Sequence, residues 1–165
     1  MKRLYNSIFQ IAETCVDVAC MFSCGRDSTV MLDLFMQYAP NTIKHVIFLY
    51  FCPELSYEEK ILRYYEDRYR INIIRRAHPD VGYLLNYRDK KHKVTMGQFE
   101  KAIRAEGYSW IAYAYRKDES LQRRGQLSLA PNGIDAKYRK LFPIAEWAQR
   151  HVNKCRGRKK TKKIS

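Results

Sequence analysis

Two short clusters hold the residue types from which phosphate chemistry is built. The first, Ser23-Cys24-Gly25-Arg26-Asp27-Ser28, follows an apolar run at 16–22 and opens a helical stripe. Backbone N–H groups at a helix start point outward unpaired and carry partial positive charge, so such a place attracts anions. Gly25 lets the main chain approach the anion, Ser23 and Ser28 add hydroxyl donors, and Arg26 adds a planar cation. Asp27 would repel phosphate unless it helps place Mg²⁺ or caps the helix. The second cluster runs from Ala114 to Arg123. In it Arg116 and Arg123 offer guanidinium forks to phosphate or sulfate oxygens, Glu119 can orient one of them, and Ser120 can add a hydroxyl. Each cluster alone has an ordinary alternative. Asp27 or Ser28 would serve as a helix cap, and 114–123 would be an exposed helix laced by i,i+3 and i,i+4 pairs.

Positioning these clusters requires strands that end beside one another. Val16–Phe22 reads as a buried strand, and Val30, Met31, Leu34, Phe35 and Tyr38 form the apolar stripe of the helix that follows. Val46–Phe51 is a second continuous apolar run, of the kind buried in a parallel sheet. Ser56 and Glu59 have capping-box spacing ahead of a helix with Ile61, Leu62, Tyr65 and Tyr69 inward. Ile71–Ile74 is a short third strand, 78–95 an irregular basic stretch with at most one helical turn, and 97–106 a helix. Trp110–Tyr115 supplies a fourth strand, and an N-terminal helix covers 4–15. The alternation predicts an α/β fold: an open, mainly parallel, Rossmann-like sheet of five strands with helices on both faces. Ligands of such sheets lie beyond the carboxyl ends of the strands, where both clusters fall.

Composition narrows the class. The chain has 165 residues, 46% of them apolar, enough for one real core. We expect a nucleotide-binding domain over 1–154 and a flexible basic tail over 155–165. No run is long and apolar enough for a membrane span or a signal peptide, so a cytoplasmic location is expected. Cys15, Cys20, Cys24, Cys52 and Cys155 contain no C-x-x-C pair and His45, His78, His92 and His151 lack ligand spacing, so free thiols and no structural metal are expected. Cys24 stands at a helix start, which lowers a thiol pKa. The net charge of +14, with basic runs at 90–93 and 156–163, favours a polyanion such as nucleic acid.

The first cluster lacks the Gly-Lys-Ser/Thr ending of a P-loop and the three glycines of a dinucleotide site. Instead S-x-G-x-D-S after a buried strand resembles the pyrophosphate (PP) loop, S-G-G-K-D-S, of the N-type ATP pyrophosphatases and the PAPS reductase superfamily, with Cys24 and Arg26 in place of Gly and Lys. Ser28-Thr29-Val30-Met31-Leu32 continues the likeness to its ATP-using branch. Arg116, Glu119, Ser120 and Arg123 match G-x-R-x-x-E-S-x-x-R, Ala114 replacing Gly, and Pro143-Ile144 before Trp147 and Val152 resembles the closing signature. Phe51-Cys52-Pro53-Glu54-Leu55-Ser56 departs from the D-T-G segment usual there.

The resemblance implies an adenine nucleotide alpha hydrolase-like enzyme that cleaves ATP between its α- and β-phosphates and adenylylates an acceptor. ATP with Mg²⁺ would then be held by Ser23, Cys24, Gly25, Arg26, Asp27 and Ser28, with adenine against Leu49, Tyr50 and Phe51. Arg116 and Arg123 would contact phosphate or acceptor, Glu119 and Ser120 would complete the phosphate site, and Asp27, Arg116 and Arg123 would act in catalysis. The acceptor would be an oxyanion or a nucleic acid group, with a protein partner supplying its site if needed. No iron–sulfur cluster is expected, because the C-terminal E-C-G-x-H segment and the cluster cysteines of the reductases are missing. The alternatives are an APS or PAPS reductase or sulfotransferase dependent on Cys155, and a non-catalytic nucleotide or nucleic acid binder.

Overall fold

The computed structural model describes residues 2–160, with side chains from 4 to 155. Residues 161–165 of the basic tail lie outside the described residues. Helix α1 (Lys2–Thr14) leads into β1 (Val18–Phe22), α2 (Arg26–Tyr38), β2 (Ile43–Tyr50), α3 (Ser56–Tyr69) and β3 (Ile73–Ala77). Then come α4 (Val81–Leu85), α5 (Met96–Ala105), β4 (Trp110–Ala112), α6 (Leu121–Ser128), β5 (Ile134–Asp135), β6 (Lys140–Leu141) and α7 (Gln149–Lys160).

The sheet order is β3-β2-β1-β4-β6-β5, parallel throughout except for the β5–β6 pair. It has six strands where five are expected: β1 to β4 match the four apolar runs legible in the sequence, and the two-residue β5 and β6 are too short to leave one. Strand β1 is buried along its whole length, and its side chains divide by alternation. Val18, Cys20 and Phe22 enter one core with Ile8, Phe35, Leu62, Trp147 and Val152, whereas Ala19 and Met21 enter another with Ile103, Tyr108, Leu127 and Phe142. Helices α1, α2, α3 and α7 thus cover one face and α5 and α6 the other. Among the described residues no helix is long and apolar enough to cross a membrane.

Several local expectations change. Strand β4 stops at Ala112 because its partner β6 offers only Lys140 and Leu141; the Tyr113 N–H still donates to the Leu141 carbonyl at 2.9 Å, and Ala114 and Tyr115 lie beyond the ladder. Helix α3 is preceded by Leu55 with no side-chain cap. Glu59 meets Arg75 of β3 at 3.0 Å instead of closing a box with Ser56. Ile144 and Trp147 are buried as expected, but in turns before α7, whose first N–H, from Gln149, donates to Asp118 Oδ2 at 3.0 Å.

Candidate functional site

The strand order reverses between β1 and β4, and a parallel sheet opens a crevice beyond the strand ends at such a reversal. The loop after β1 and the segment after β4 form the two walls there. The crevice holds about 570 Å³, and its lining includes Ser23, Gly25, Arg26, Asp27 and Ser28 from the first and Tyr113, Ala114, Tyr115 and Glu119 from the second. Leu49, Phe51 and His78 from the ends of β2 and β3 close one side.

The loop is organised around Ser28. Its Oγ accepts from the Ser23 N–H at 3.2 Å, lies 3.0 Å from Ser23 Oγ, and donates to the Gly25 carbonyl at 3.1 Å. The residue that caps α2 is Gly25, neither Asp27 nor Ser28, and no side chain caps the helix. Its first-turn amides are therefore left for an acceptor from outside the chain. A Cβ at Gly25 would stand 3.3 Å from Ser23 Oγ, tight enough to press on that hydroxyl. Cys24 adopts φ +57°, the left-handed conformation that glycine tolerates best. Burial pushes its thiol up to about 12, with Glu58 and Glu59 adding to the rise, so desolvation outweighs the helix start and Cys24 stays protonated.

Arg116 lies behind the loop rather than in the crevice. It is 4% exposed, with Nη2 donating to Asp27 Oδ2 at 3.1 Å and to Gln149 Oε1 at 2.9 Å, and Nη1 3.4 Å from the Trp147 carbonyl. The two clusters do meet, 89 positions apart in sequence, but through this buried pair and not through two arginines facing a ligand. Asp27, expected to place a metal ion, has one oxygen engaged by Arg116. Its Oδ1 and Arg116 Nε are buried without a hydrogen-bond partner. Arg123 lies beside the crevice wall, its guanidinium 3.5 Å over the Tyr115 ring and 3.8 Å from Glu119. Desolvation, reinforced by Asp27, raises the Glu119 carboxyl pKa above its ordinary range. Ser120 caps α6, accepting from the Arg123 N–H at 3.1 Å.

Leu49 and Phe51 line this crevice, while Tyr50 faces the opposite side with Phe48, as strand alternation requires. Sequence reasoning did not find Tyr113, Tyr115, His78 or Met96, all of which line the crevice. Phe51 stacks on His78 with ring centroids 4.2 Å apart. The apolar run 110–115 read as continuous strand, so only its short β6 partner would have shown that the tyrosines turn toward the site.

A family model described as the phosphoadenosine phosphosulfate reductase domain matches residues 17–162. Among solved structures, the U34-tRNA thiolase NcsA from Methanococcus maripaludis, with its 4Fe-4S cluster, is similar at TM-score 0.62 and 15% identity, over 96% of this chain and 61% of that one. This chain therefore spans less than two thirds of the thiolase. The phosphoadenylyl-sulfate reductase from Candida auris, solved as a phosphate complex, is similar at TM-score 0.57 and 12% identity, over 95% of this chain and 79% of that one. At these identities the likeness is one of fold. No curated protein sequence matches the chain.

The thiolase corrects one expectation, that of no iron–sulfur cluster, because a protein of this fold carries one. Among the described residues no three His, Cys, Asp or Glu side chains gather as a metal site. Cys15 and Cys20 are buried, and Cys52 is exposed.

Proposed function

The chain belongs to the phosphoadenosine phosphosulfate reductase domain family, and from that premise we propose that it binds an adenine nucleotide in the crevice between β1 and β4 and adenylylates an acceptor. An acceptor hydroxyl attacks the α-phosphorus of ATP, the bond to the β-phosphate breaks, and pyrophosphate leaves. The uncapped start of α2, in a loop braced by Ser28, holds the phosphates with the exposed Ser23 beside them, and Arg26, exposed on the crevice wall, neutralises them. Adenine lies against Leu49 and Phe51, with Phe51 backed by His78. Arg116 acts through Asp27 as a positioning residue that fixes the loop. Glu119, whose raised pKa suits proton exchange, takes the proton of the attacking hydroxyl.

The observation that carries this reading is the meeting of an uncapped, serine-braced helix start with the end of β4 at the strand-order reversal. The chemistry needs positioning and charge neutralisation rather than a protein nucleophile, and protonated Cys24 offers none.

Calorimetry with ATP and with PAPS, followed by a pyrophosphate-release assay, tests the proposal. ATP binds, pyrophosphate appears on addition of acceptor, and Ser28→Ala weakens ATP binding about tenfold because the brace of the loop is gone. Failure of ATP to bind, or pyrophosphate release that Ser28→Ala leaves untouched, overturns it. Tight PAPS binding with sulfite release abolished by Cys155→Ser assigns the chain to reduction instead.

A further inference from the structure

One exposed stretch is left unused by the nucleotide site it adjoins. From Leu84 near the end of α4 through Gln98 in the first turn of α5, every residue is exposed. This is an ordered arm: Arg88 N–H donates to the Tyr83 carbonyl at 2.9 Å, Asn86 Nδ2 donates to the Gly82 carbonyl at 2.7 Å, and Asp89 accepts from the Lys91 N–H at 3.0 Å. Tyr87 is 100% exposed and Leu85 76%, although a large side chain left in water loses the free energy of burial. Lys90 and Lys91 form a tight helical turn beside them, and Lys93 Nζ lies 5.7 Å over the Tyr83 ring. The arm starts and ends at the crevice, since His78 before it and Met96 near its end both line that cavity.

We propose that this arm is a docking surface for single-stranded nucleic acid, which it presents to the nucleotide crevice as the acceptor. The inference deepens the adenylylation reading and rests on it for what the strand does there, but not for the binding itself. An exposed ring flanked by lysines offers the two things an unpaired strand needs, a face on which a base stacks and cations for its phosphates. A duplex buries its base faces and has no use for Tyr87. The charge of the whole chain, +14, favours the same class of partner at long range.

The test measures fluorescence anisotropy of the full chain with labelled single-stranded RNA and DNA of about twelve nucleotides and with the matching duplex, across a salt series. Tyr87→Ala weakens single-strand binding about tenfold and leaves duplex binding unchanged. Replacing Lys90, Lys91 and Lys93 together by glutamine lowers the slope of log affinity against log salt by about 2. The RNA and DNA arms identify which strand is preferred. Calorimetry with ATP accompanies each variant and is expected to be unchanged, because neither substitution touches a lining residue. Single-strand binding equal in wild type and both variants, or absent at about 100 mM salt, overturns the arm while the ATP result stands. Anionic vesicles bound in place of oligonucleotides, with loss in the same variants, also overturn it and make the surface a lipid contact. Loss of ATP binding beside intact oligonucleotide binding overturns the adenylylation reading and leaves the arm standing.

Discussion

Arg116 was expected to contact phosphate or acceptor, and its contacts in the fold are with other residues of the chain. Its spacing from Glu119 and Arg123 marks a charged cluster, but only the packing of residues 147–149 against it shows that the guanidinium is buried and faces Asp27. Arg116→Ala leaves a carboxylate without its partner and destabilises the fold by about 3 kcal/mol, read as a lower urea midpoint. Pairing Arg116→Met with Asp27→Asn recovers part of that loss, since no charge is then left alone. Cys24 gives a pH signature of determinable sign. Below about pH 8.5 its thiol is protonated in folded and unfolded chains alike, so it contributes no pH dependence. Above that the unfolded chain releases the proton while the folded one, with the thiol pushed up to about 12, retains it, so stability falls as pH rises. The drop in Tm between about pH 8.5 and 11 is therefore shallower in Cys24→Ala than in wild type. An unchanged slope would show that the thiol already ionises normally in the fold.

At the scale of elements, the long buried strands and amphipathic helices were legible because their periodicity survives in the sequence. The short ones were not. β5 and β6 have two residues each, and their place is fixed by a backbone contact with no periodic trace: the Phe142 N–H donates to the Gly133 carbonyl at 2.7 Å. Gly133 has φ +73°, and a Cβ there would stand 2.3 Å from the Phe142 carbonyl oxygen. Gly133→Ala consequently costs about 3 kcal/mol and lowers Tm by several degrees in a thermal melt, through strained φ and forced displacement of β6. Because β6 sets where β4 ends, the same variant loosens Tyr113 and Tyr115, which faster amide exchange at 113–116 registers. The arm between β3 and α5 was unreadable for a different reason. It buries little, so no core face imposes a period on it, although its basic and aromatic composition was visible.

For the whole molecule, alternation of strands and helices was sufficient to place two distant clusters beyond the carboxyl ends of the strands, and the strand-order reversal between β1 and β4 gives the physical reason they adjoin. What composition alone did not convey is that the loop after β1 is tethered through Arg116 to residues 147–149. Trp147 is the meeting point: its carbonyl accepts from Arg116, its indole N–H donates to the Leu4 carbonyl at 2.8 Å, and its ring meets Tyr5 edge-on at 5.6 Å. It is 2% exposed, whereas Trp110, the other tryptophan, is half-buried. The tether thus has a built-in optical gauge. In a Trp110→Phe background, tryptophan emission, excited selectively over the 13 tyrosines, comes from Trp147, and its shift to longer wavelength during urea titration marks the step at which water reaches that junction. In Arg116→Ala the shift arrives at lower urea, ahead of the loss of helical circular dichroism if the junction opens before the sheet.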